Sequence, residues 1–264
     1  MFYIMEITMV WKASVLLSRI NSQTKTVAIM QPTFLPWIGY FALISYVDEF
    51  ILLDTVQFDR RSWQQRNRIP TLNGELLLTV PVMKKGKMSQ PICEVQIVDD
   101  GRSLLEKMYR SISFNFSKSK YFNLYKEEFY EILMSESNSL SRLNTKIIKW
   151  GCKKLGITTS IINSSDLEVE GKREDLLLNI CVARNAKKYI SVEGSEAYLK
   201  NSRIFSQGRV SLEYFNYQHP KYHQETQTFV PFMSFVDLLF NNGTDSLRIL
   251  QSGVGSTSGE AFHL

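Results

Sequence analysis

The stretch from Asp54 to Arg68 holds the densest group of ligand-binding side chains in the sequence. Its last nine residues contain four arginines, one tryptophan and three amides. Arginine offers forked N–H donors to phosphate, and tryptophan offers a face for a planar ring or a sugar. The pattern predicts a site for a polyanionic ligand, and the alternative is a solvated, charged surface hairpin. The predicted binding residues here are Gln57, Arg60, Arg61, Trp63, Arg66, Asn67 and Arg68.

A crossover unit at the start of the chain would position this stretch. A buried-strand pattern at Val27–Met30 precedes a turn bracketed by two prolines, an amphipathic helix and a second apolar run at Phe50–Leu53. Parallel strands joined by a helix present their carboxyl-end loops to one crevice, where open α/β sheets bind ligands. The candidate residues in this unit are Gln31, Pro32, Trp37 and Tyr40 for binding and Asp54 for catalysis.

The C-terminal half offers further candidates at the ends of predicted strands and helices. Basic residues precede a helix that starts near Arg173, and a Glu-Gly-Ser turn follows a strand at Tyr189–Val192. The alternatives are a capped helix with exposed charges and a surface glutamate. Neutral imidazole suits deprotonation of an attacking amine, although a loop histidine is the alternative. The predicted residues are Lys172, Arg173 and Tyr198 for binding and Glu193 and His219 for catalysis.

We predict no metal site. His219 and His223 are four residues apart, but Pro220 between them disfavours the regular helix that this spacing would need to bind a metal. The three cysteines are far apart and form no C-x-x-C pair. They indicate neither a disulfide framework nor a zinc ribbon, so we expect buried thiols in a cytoplasmic protein.

The order of the elements predicts an α/β protein with a Rossmann-like, mainly parallel sheet, a β-hairpin and a helical insertion. The hairpin turn is Asn73-Gly74, and Ile92–Val98 is predicted to be another strand. The expected organisation is a variable N-terminal extension at 1–25, a single domain at 26–250 with its insertion at about 102–156, and a loose tail at 251–264.

Composition narrows the class of partner. The formal net charge is +5 and the pI is about 9.0, which favours an anionic ligand. No DNA-binding motif is present, and no apolar run reaches the length of a membrane span. We therefore expect no DNA partner and no transmembrane segment.

Several segments together resemble the WbqC-like family of bacterial O-antigen and polysaccharide gene clusters. The resemblance covers about residues 26 to 245, and its motifs occur in the family's order. They are IMQPTFLPWIGYF, DEFILLDTVQFDRRSWQQRNRI, LLLTVPV, GKREDLLLNIC, AKKYISVEGSEAYL, YFNYQHPKYHQ and FVPFMSFVDLLFNNG. The first motif is also similar in layout to the ATP-binding turn of the HIGH-signature nucleotidyltransferases, although Trp37 and Tyr40 replace the histidines of that turn.

The resemblance implies a transferase that adds glycine or a related acyl group to an amino sugar on a nucleotide-linked or lipid-linked precursor. The donor would be free glycine with ATP, or an aminoacyl-tRNA. Two alternatives stay open: a non-catalytic sugar-nucleotide-binding protein of the same pathway, and an ATP-dependent nucleotidyltransferase. In the transferase reading, the arginines hold phosphates, while Asp54 and His219 handle the proton of the amine.

Overall fold

The computed structural model describes residues 24–83, 89–136, 138–199, 204–255 and 258–259. The predicted N-terminal extension lies almost wholly outside the described residues, and so does the side chain of Tyr198. The strands are β1 (Thr26–Met30), β2 (Glu49–Leu52), β3 (Arg66–Thr71), β4 (Gly74–Thr79), β5 (Ser160–Asn163), β6 (Lys188–Val192), β7 (Ser211–Phe215) and β8 (Ser258–Gly259).

Helices cover both faces of the sheet and form the predicted insertion. They are α1 (Ile38–Tyr46), α2 (Gly101–Phe116), α3 (Phe122–Met134), α4 (Leu140–Leu155), α5 (Arg173–Ala183), α6 (Glu196–Leu199), α7 (Ile204–Gln207), α8 (Phe235–Asn242) and α9 (Ser246–Gln251). Among the residues described, no helix has the length and apolar run needed to cross a bilayer.

The main sheet has the strand order β5-β2-β1-β6-β7-β8. The first five strands in this order are parallel, and only the two-residue β8 is antiparallel. The chain builds β1, β2 and β5 outward in one direction and then returns to start β6 on the other side of β1. This is a Rossmann arrangement with its switch point between β1 and β6, which confirms the predicted fold class.

Burial on both faces explains why the central strands have continuous apolar sequences. Ala28, Phe50 and Ile190 belong to a large core that includes α1 and the helices of the insertion. Val27 and Ile51 face the opposite way, into a smaller core that α5 covers. The insertion, α2 to α4, therefore packs on the same side of the sheet as α1.

The hairpin forms as expected, but it begins earlier than the sequence suggests. β3 and β4 pair antiparallel from Arg66↔Thr79 to Thr71↔Gly74, and Gly74 has a φ of 138° that only glycine adopts readily. Arg66 and Arg68 are therefore strand residues, and not residues of the predicted loop. The loop after β2 ends at Gln65.

The predicted strand at Ile92–Val98 is wrong. Ile92–Glu94 is a single 3-10 turn that follows Pro91, and the residues after it make only isolated bridges, Gln96↔Ser139 and Val82↔Ile97. The alternating pattern is real, because Val95 and Ile97 are buried while Gln96 is exposed. It comes from an extended segment packed on the core without a continuous ladder partner.

The described part of the C-terminal tail is held to the sheet, although the sequence suggests a loose end. Gly253 O accepts a hydrogen bond from Gln218 N, and Gly255 N donates to Asn216 O. The backbone of β8 then pairs with β7.

Candidate functional site

Asp54 lies at the carboxyl end of β2 and is the centre of a hydrogen-bond network. Its side chain is 1% exposed and accepts five hydrogen bonds. Ser141 Oγ and Asn163 Nδ2 donate to Oδ2 at 2.7 Å each, and Ser165 Oγ donates to Oδ2 at 3.0 Å. Ser164 Oγ and Ser165 N donate to Oδ1 at 3.1 and 2.9 Å. The network ties the ends of β2 and β5 to the first turn of α4.

These bonds decide what Asp54 can do. A carboxylate has about four lone-pair sites, and here five donors fill them. Asp54 is therefore placed to orient Ser141, Asn163 and Ser165, whereas a general base needs an acceptor site that is open to the substrate.

A cleft opens above this network at the carboxyl edge of the sheet. Its volume is about 1180 Å³, large enough for a substrate bigger than one sugar ring. We call it the β2/β5 cleft. It is lined by Asp54, Ser89, Gln90, Pro91, Cys93, Glu94, Val95, Gln96, Asn138, Ser139, Ser141, Arg142, Thr145, Lys146, Lys149, Asn163, Ser165 and Asp166.

One wall of the cleft is cationic. Arg142, Lys146 and Lys149 project from α4 at intervals of four and three residues, which keep them on one helical face. Arg142 and Lys146 share the carboxylate of Glu136 at 3.3 and 3.7 Å, whereas Lys149 has no hydrogen bond or ion pair within the ranges described. This wall can hold phosphate groups.

Other residues that line the cleft supply carboxylates and a thiol. Glu94 and Asp166 are exposed, and their side chains have no hydrogen-bond or ion-pair partner among the described residues. Burial, and then the nearby charges of Asp54 and Glu94, raise the pKa of Cys93. Cys93 is therefore a neutral thiol at neutral pH, while either free carboxylate can accept a proton from an amine.

The arginine-rich loop, a name we use for residues 57–68 and so for the end of the loop after β2 together with the first three residues of β3, forms a separate surface on the other side of α4. Asn144 points away from the cationic face of that helix and donates to Gln64 O at 2.8 Å. Trp63 is 48% exposed, and the guanidinium groups of Arg66 and Arg68 lie 5.9 and 5.3 Å from its ring centroid. None of these loop residues lines the β2/β5 cleft.

Three of the other predicted residues in this region stabilise the turn after β1. Gln31 Oε1 accepts a bond from Gln64 Nε2 at 2.9 Å, and Pro32 O accepts one from Asn144. Asn67 Nδ2 donates to Phe34 O and Leu35 O, where Leu35 has a positive φ of 45°. Asn67 thus fixes a strained turn. Gln57, Arg60 and Arg61 are exposed in the loop.

The turn before α1 is closed to a phosphate. A Cβ atom at Gly39 would lie 2.2 Å from the Trp37 indole, so the tryptophan ring covers the first turn of the helix. Tyr40 is buried and its hydroxyl donates to Gln31 O at 3.1 Å; burial raises its pKa well above the usual value. The start of α1 therefore offers no open ATP site.

Both ring nitrogens of His219 are hydrogen-bonded to the backbone. Nδ1 lies 2.9 Å from Pro220 O, and Nε2 lies 3.1 Å from Phe232 N. A carbonyl requires a proton on Nδ1 and a backbone N–H requires a lone pair on Nε2, so this geometry selects the neutral tautomer. Burial lowers the pKa of His219, and its ring stacks on Trp37 at 6.0 Å. His219 thus holds a surface strap, residues 217–233.

The remaining predicted residues are spread along the carboxyl edge. Glu193 is exposed in the 3-10 turn after β6, beside the switch point that Gln31 also borders. Lys172 and Arg173 are exposed at the start of α5, where Glu174 and Asp175 already provide negative charge for the helix. Of the predicted residues whose side chains the structure describes, only Asp54 lines the β2/β5 cleft. No group of three or more metal-ligating side chains occurs in the part of the chain described.

Sequence reasoning missed most of the cleft, and two signals point to it. Arg142, Lys146 and Lys149 have helical spacing on an otherwise amphipathic helix. Asn163 and Ser165 directly follow a strand, which is where open α/β sheets bind ligands.

Comparison with known proteins shows which family the chain belongs to. A model described as the WbqC-like protein family matches residues 31–249. The chain belongs to the WbqC-like family. A relative from Mycobacterium tuberculosis, named "Uncharacterized protein Rv1507c", is 36% identical over 224 residues, which is 84% of this chain and 96% of the relative. No solved structure matches the chain significantly. The WbqC-like match includes both the cleft and the arginine-rich loop.

Proposed function

We propose that this protein is a transferase that adds an amino acid group, such as glycine, to the amine of a nucleotide-linked or lipid-linked sugar. The β2/β5 cleft is the observation that carries the proposal. It combines cations for phosphate, neutral hydroxyl and amide groups for a sugar, and free carboxylates for an amine. The resemblance of the motifs to proteins of polysaccharide clusters supports the same substrate class.

The cleft residues divide into three roles. Lys146 and Lys149 hold the phosphates that link the sugar to its carrier, because ammonium groups bind phosphate as point charges. Asn163 and Ser165 contact the sugar hydroxyls, and Asp54 fixes their orientation through bonds of 2.7 to 3.0 Å. Preorganised donors of this kind lose little freedom when the substrate binds.

Glu94 or Asp166 accepts the proton of the attacking amine. The amine nitrogen forms an amide bond with the donor's carbonyl carbon, and the bond from that carbon to the donor's oxygen breaks. The side-chain carboxyl group that took the proton from the amine then donates it to the departing oxygen. The donor is either glycine activated with ATP or an aminoacyl-tRNA.

We place this activity in the cytoplasm. Cys93, Cys152 and Cys181 are free thiols, which fits a reducing compartment. Burial raises the pKa of both Cys152 and Cys181 to about 12, so these two thiols are inert at neutral pH.

The test is a mass measurement on the acceptor. The purified protein is incubated with nucleotide-linked amino sugars, together with glycine and ATP or with glycyl-tRNA. We expect the acceptor to gain one glycyl group, and Glu94→Gln or Asp166→Asn to slow the transfer while the acceptor still binds. No gain with any donor would contradict the proposal.

One observation favours a second candidate, a non-catalytic protein that binds the sugar nucleotide. Asp54 is saturated by donors, and both ring nitrogens of His219 are bonded to the backbone. A binder predicts calorimetric binding of the sugar nucleotide with no turnover. It also predicts that Glu94→Gln and Asp166→Asn leave surface polysaccharide unchanged in cells.

A further inference from the structure

The cationic face of α4 continues beyond the β2/β5 cleft. Arg142, Lys146, Lys149 and Lys153 stand at intervals of four, three and four residues, so they lie on one side of the helix. At a rise of about 1.5 Å per residue, these four residues span about 16 Å. We call them the α4 stripe. Neighbouring members have Cβ atoms about 5 to 6 Å apart, a spacing that lets two cations hold adjacent phosphates.

The charges of the stripe are unevenly satisfied. Glu136 accepts ion pairs from Arg142 and Lys146, and Ser135 O accepts a bond from Lys146 Nζ at 2.8 Å. Lys149 and Lys153 are exposed and make no hydrogen bond or ion pair within the described ranges, although the charge of Lys153 acts on Glu128 at longer range. The free positive charge is therefore concentrated at the end of the stripe that leaves the cleft.

A second hollow begins where the cleft ends. Its volume is about 420 Å³, and Lys149 lines both concave surfaces. Lys149 is therefore the boundary between them. The second hollow is lined by Lys149, Cys152, Lys153, Gly156, Ile157, Thr158, Thr159 and Ile161.

The walls of this hollow suit a nucleoside better than a second sugar. Ile157 and Ile161 offer apolar surface that a base can cover. No acidic side chain lines it among the described residues, in contrast to the cleft. Residues 156–159 lead into the amino end of β5, the strand at one edge of the sheet. The backbone N–H and C=O of Thr158 have no partner in the part of the chain described. Unpaired main-chain groups can read the edge of a base.

We infer that the second hollow is a nucleoside subsite and that the acceptor is a nucleoside diphosphate-linked amino sugar. The diphosphate lies at Lys149, with the sugar in the β2/β5 cleft and the nucleoside in the second hollow. The inference rests on the proposed function and selects the nucleotide-linked acceptor over the lipid-linked one. A lipid-linked sugar has no base to fill the hollow, and its hydrocarbon chain would meet the charged Lys153 there.

The experiment measures binding of UDP, CDP, GDP and ADP by calorimetry, with inorganic diphosphate and an amino-sugar 1-phosphate as reference ligands. Thr158→Trp fills the hollow, and Thr244→Trp is the control because Thr244 is exposed and does not line the hollow. Melting temperatures of both variants establish that they fold.

We expect at least one nucleoside diphosphate to bind ten-fold or more tightly than inorganic diphosphate. Thr158→Trp should lower the affinity for that nucleoside diphosphate about ten-fold and change the affinity for the sugar 1-phosphate by less than about two-fold. Thr244→Trp should leave both affinities unchanged. Equal affinities for nucleoside diphosphates and inorganic diphosphate, or no effect of Thr158→Trp, would overturn the inference.

The same protein separates this inference from the proposed function. Glycyl transfer onto a lipid-linked sugar, but onto no nucleotide-linked sugar, would overturn the nucleoside subsite and leave the transferase standing. Nucleoside diphosphate binding that Thr158→Trp weakens, without glycyl transfer to any acceptor, would support the subsite and contradict the transferase.

Discussion

The β2/β5 cleft and the arginine-rich loop are both polar, but their charged groups have different surroundings. In the cleft, the buried carboxylate of Asp54 organises neutral donors, while Lys149, Glu94 and Asp166 stay without partners among the described residues. In the loop, Arg66 and Arg68 lie over Trp63, and Arg68 also pairs with Glu75 at 2.7 Å. The comparison teaches that a high density of charged side chains can arise where arginines pack over an aromatic ring and pair with a carboxylate.

The neighbourhood of the loop is closed on one side, although Arg66 Nε and Arg68 Nε are buried without a hydrogen-bond partner among the described residues. The strap that contains His219 covers Trp37, and Trp37 covers the start of α1. Asp237 anchors the strap by accepting bonds from Tyr222 Oη at 2.8 Å and Gln224 Nε2 at 2.6 Å. The loop side is thus built for rigidity, and the cleft side is open to a ligand.

The largest expected effect is a difference in how much one aspartate in each region contributes to the stability of the fold. Asp54→Ala should leave its buried donors without an acceptor and lower the free energy of unfolding by about 3 to 5 kcal/mol. Asp59→Ala, an exposed aspartate in the arginine-rich loop, should change it by less than about 0.5 kcal/mol. Urea unfolding measures both values.

An Asp54→Ala variant with unchanged stability and no transfer activity would make Asp54 a catalytic residue and break the account given for the cleft.

The second prediction concerns the buried carboxylate on the loop side. Burial raises the pKa of Asp237 to about 6, from 3.8. The folded state then binds more protons than the unfolded state between these values, so this group lowers stability as the pH rises from about 4 to about 6. The loss is on the order of 2 to 3 kcal/mol. The Asp237→Asn variant has no group that titrates at this position. The unfolding free energy of the wild type minus that of the variant should therefore fall as the pH rises from about 4 to about 6.

A constant difference between the wild type and Asp237→Asn from pH 4 to pH 7 would mean that Asp237 is ionised throughout. Its role in closing the loop side would then need a different explanation.

The third prediction compares cations of the two regions. Lys149→Gln should weaken binding of a nucleotide-linked amino sugar by about ten-fold, because it removes a charge at the phosphates. Lys107→Gln, an exposed lysine on α2, controls for net charge. The double variant Arg60→Gln and Arg61→Gln should change affinity by less than about two-fold at physiological salt. If calorimetry showed a larger loss of affinity in the double arginine variant than in Lys149→Gln, the binding site would lie on the arginine-rich loop.

Sequence patterns predicted what depends on local periodicity. The crossover unit β1-α1-β2, the hairpin at Gly74 and the helices of the insertion follow from apolar spacing and turn residues. The position of Arg66 and Arg68 in a strand was missed, because pairing with β4 is not visible in their own sequence.

The cleft could not be predicted in the same way, because it depends on which strands become neighbours. Asp54 meets Asn163 and Ser165 only because β5 pairs with β2, more than 100 residues along the chain. The role of His219 was hidden for a related reason. Its Nε2 partner is the backbone N–H of Phe232, and no side-chain pattern reveals such a contact.

The most direct test of the β2/β5 cleft as the binding site is alkylation of Cys93. Its thiol lines the cleft, whereas Cys152 and Cys181 are buried, so an alkylating reagent should modify Cys93 first. A saturating nucleotide-linked amino sugar should slow this modification at least five-fold. The fluorescence of Trp63, identified as the part of the emission that the Trp63→Phe variant lacks, should not change. Unchanged alkylation of Cys93 together with a change in Trp63 fluorescence would contradict the account and place the ligand on the arginine-rich loop.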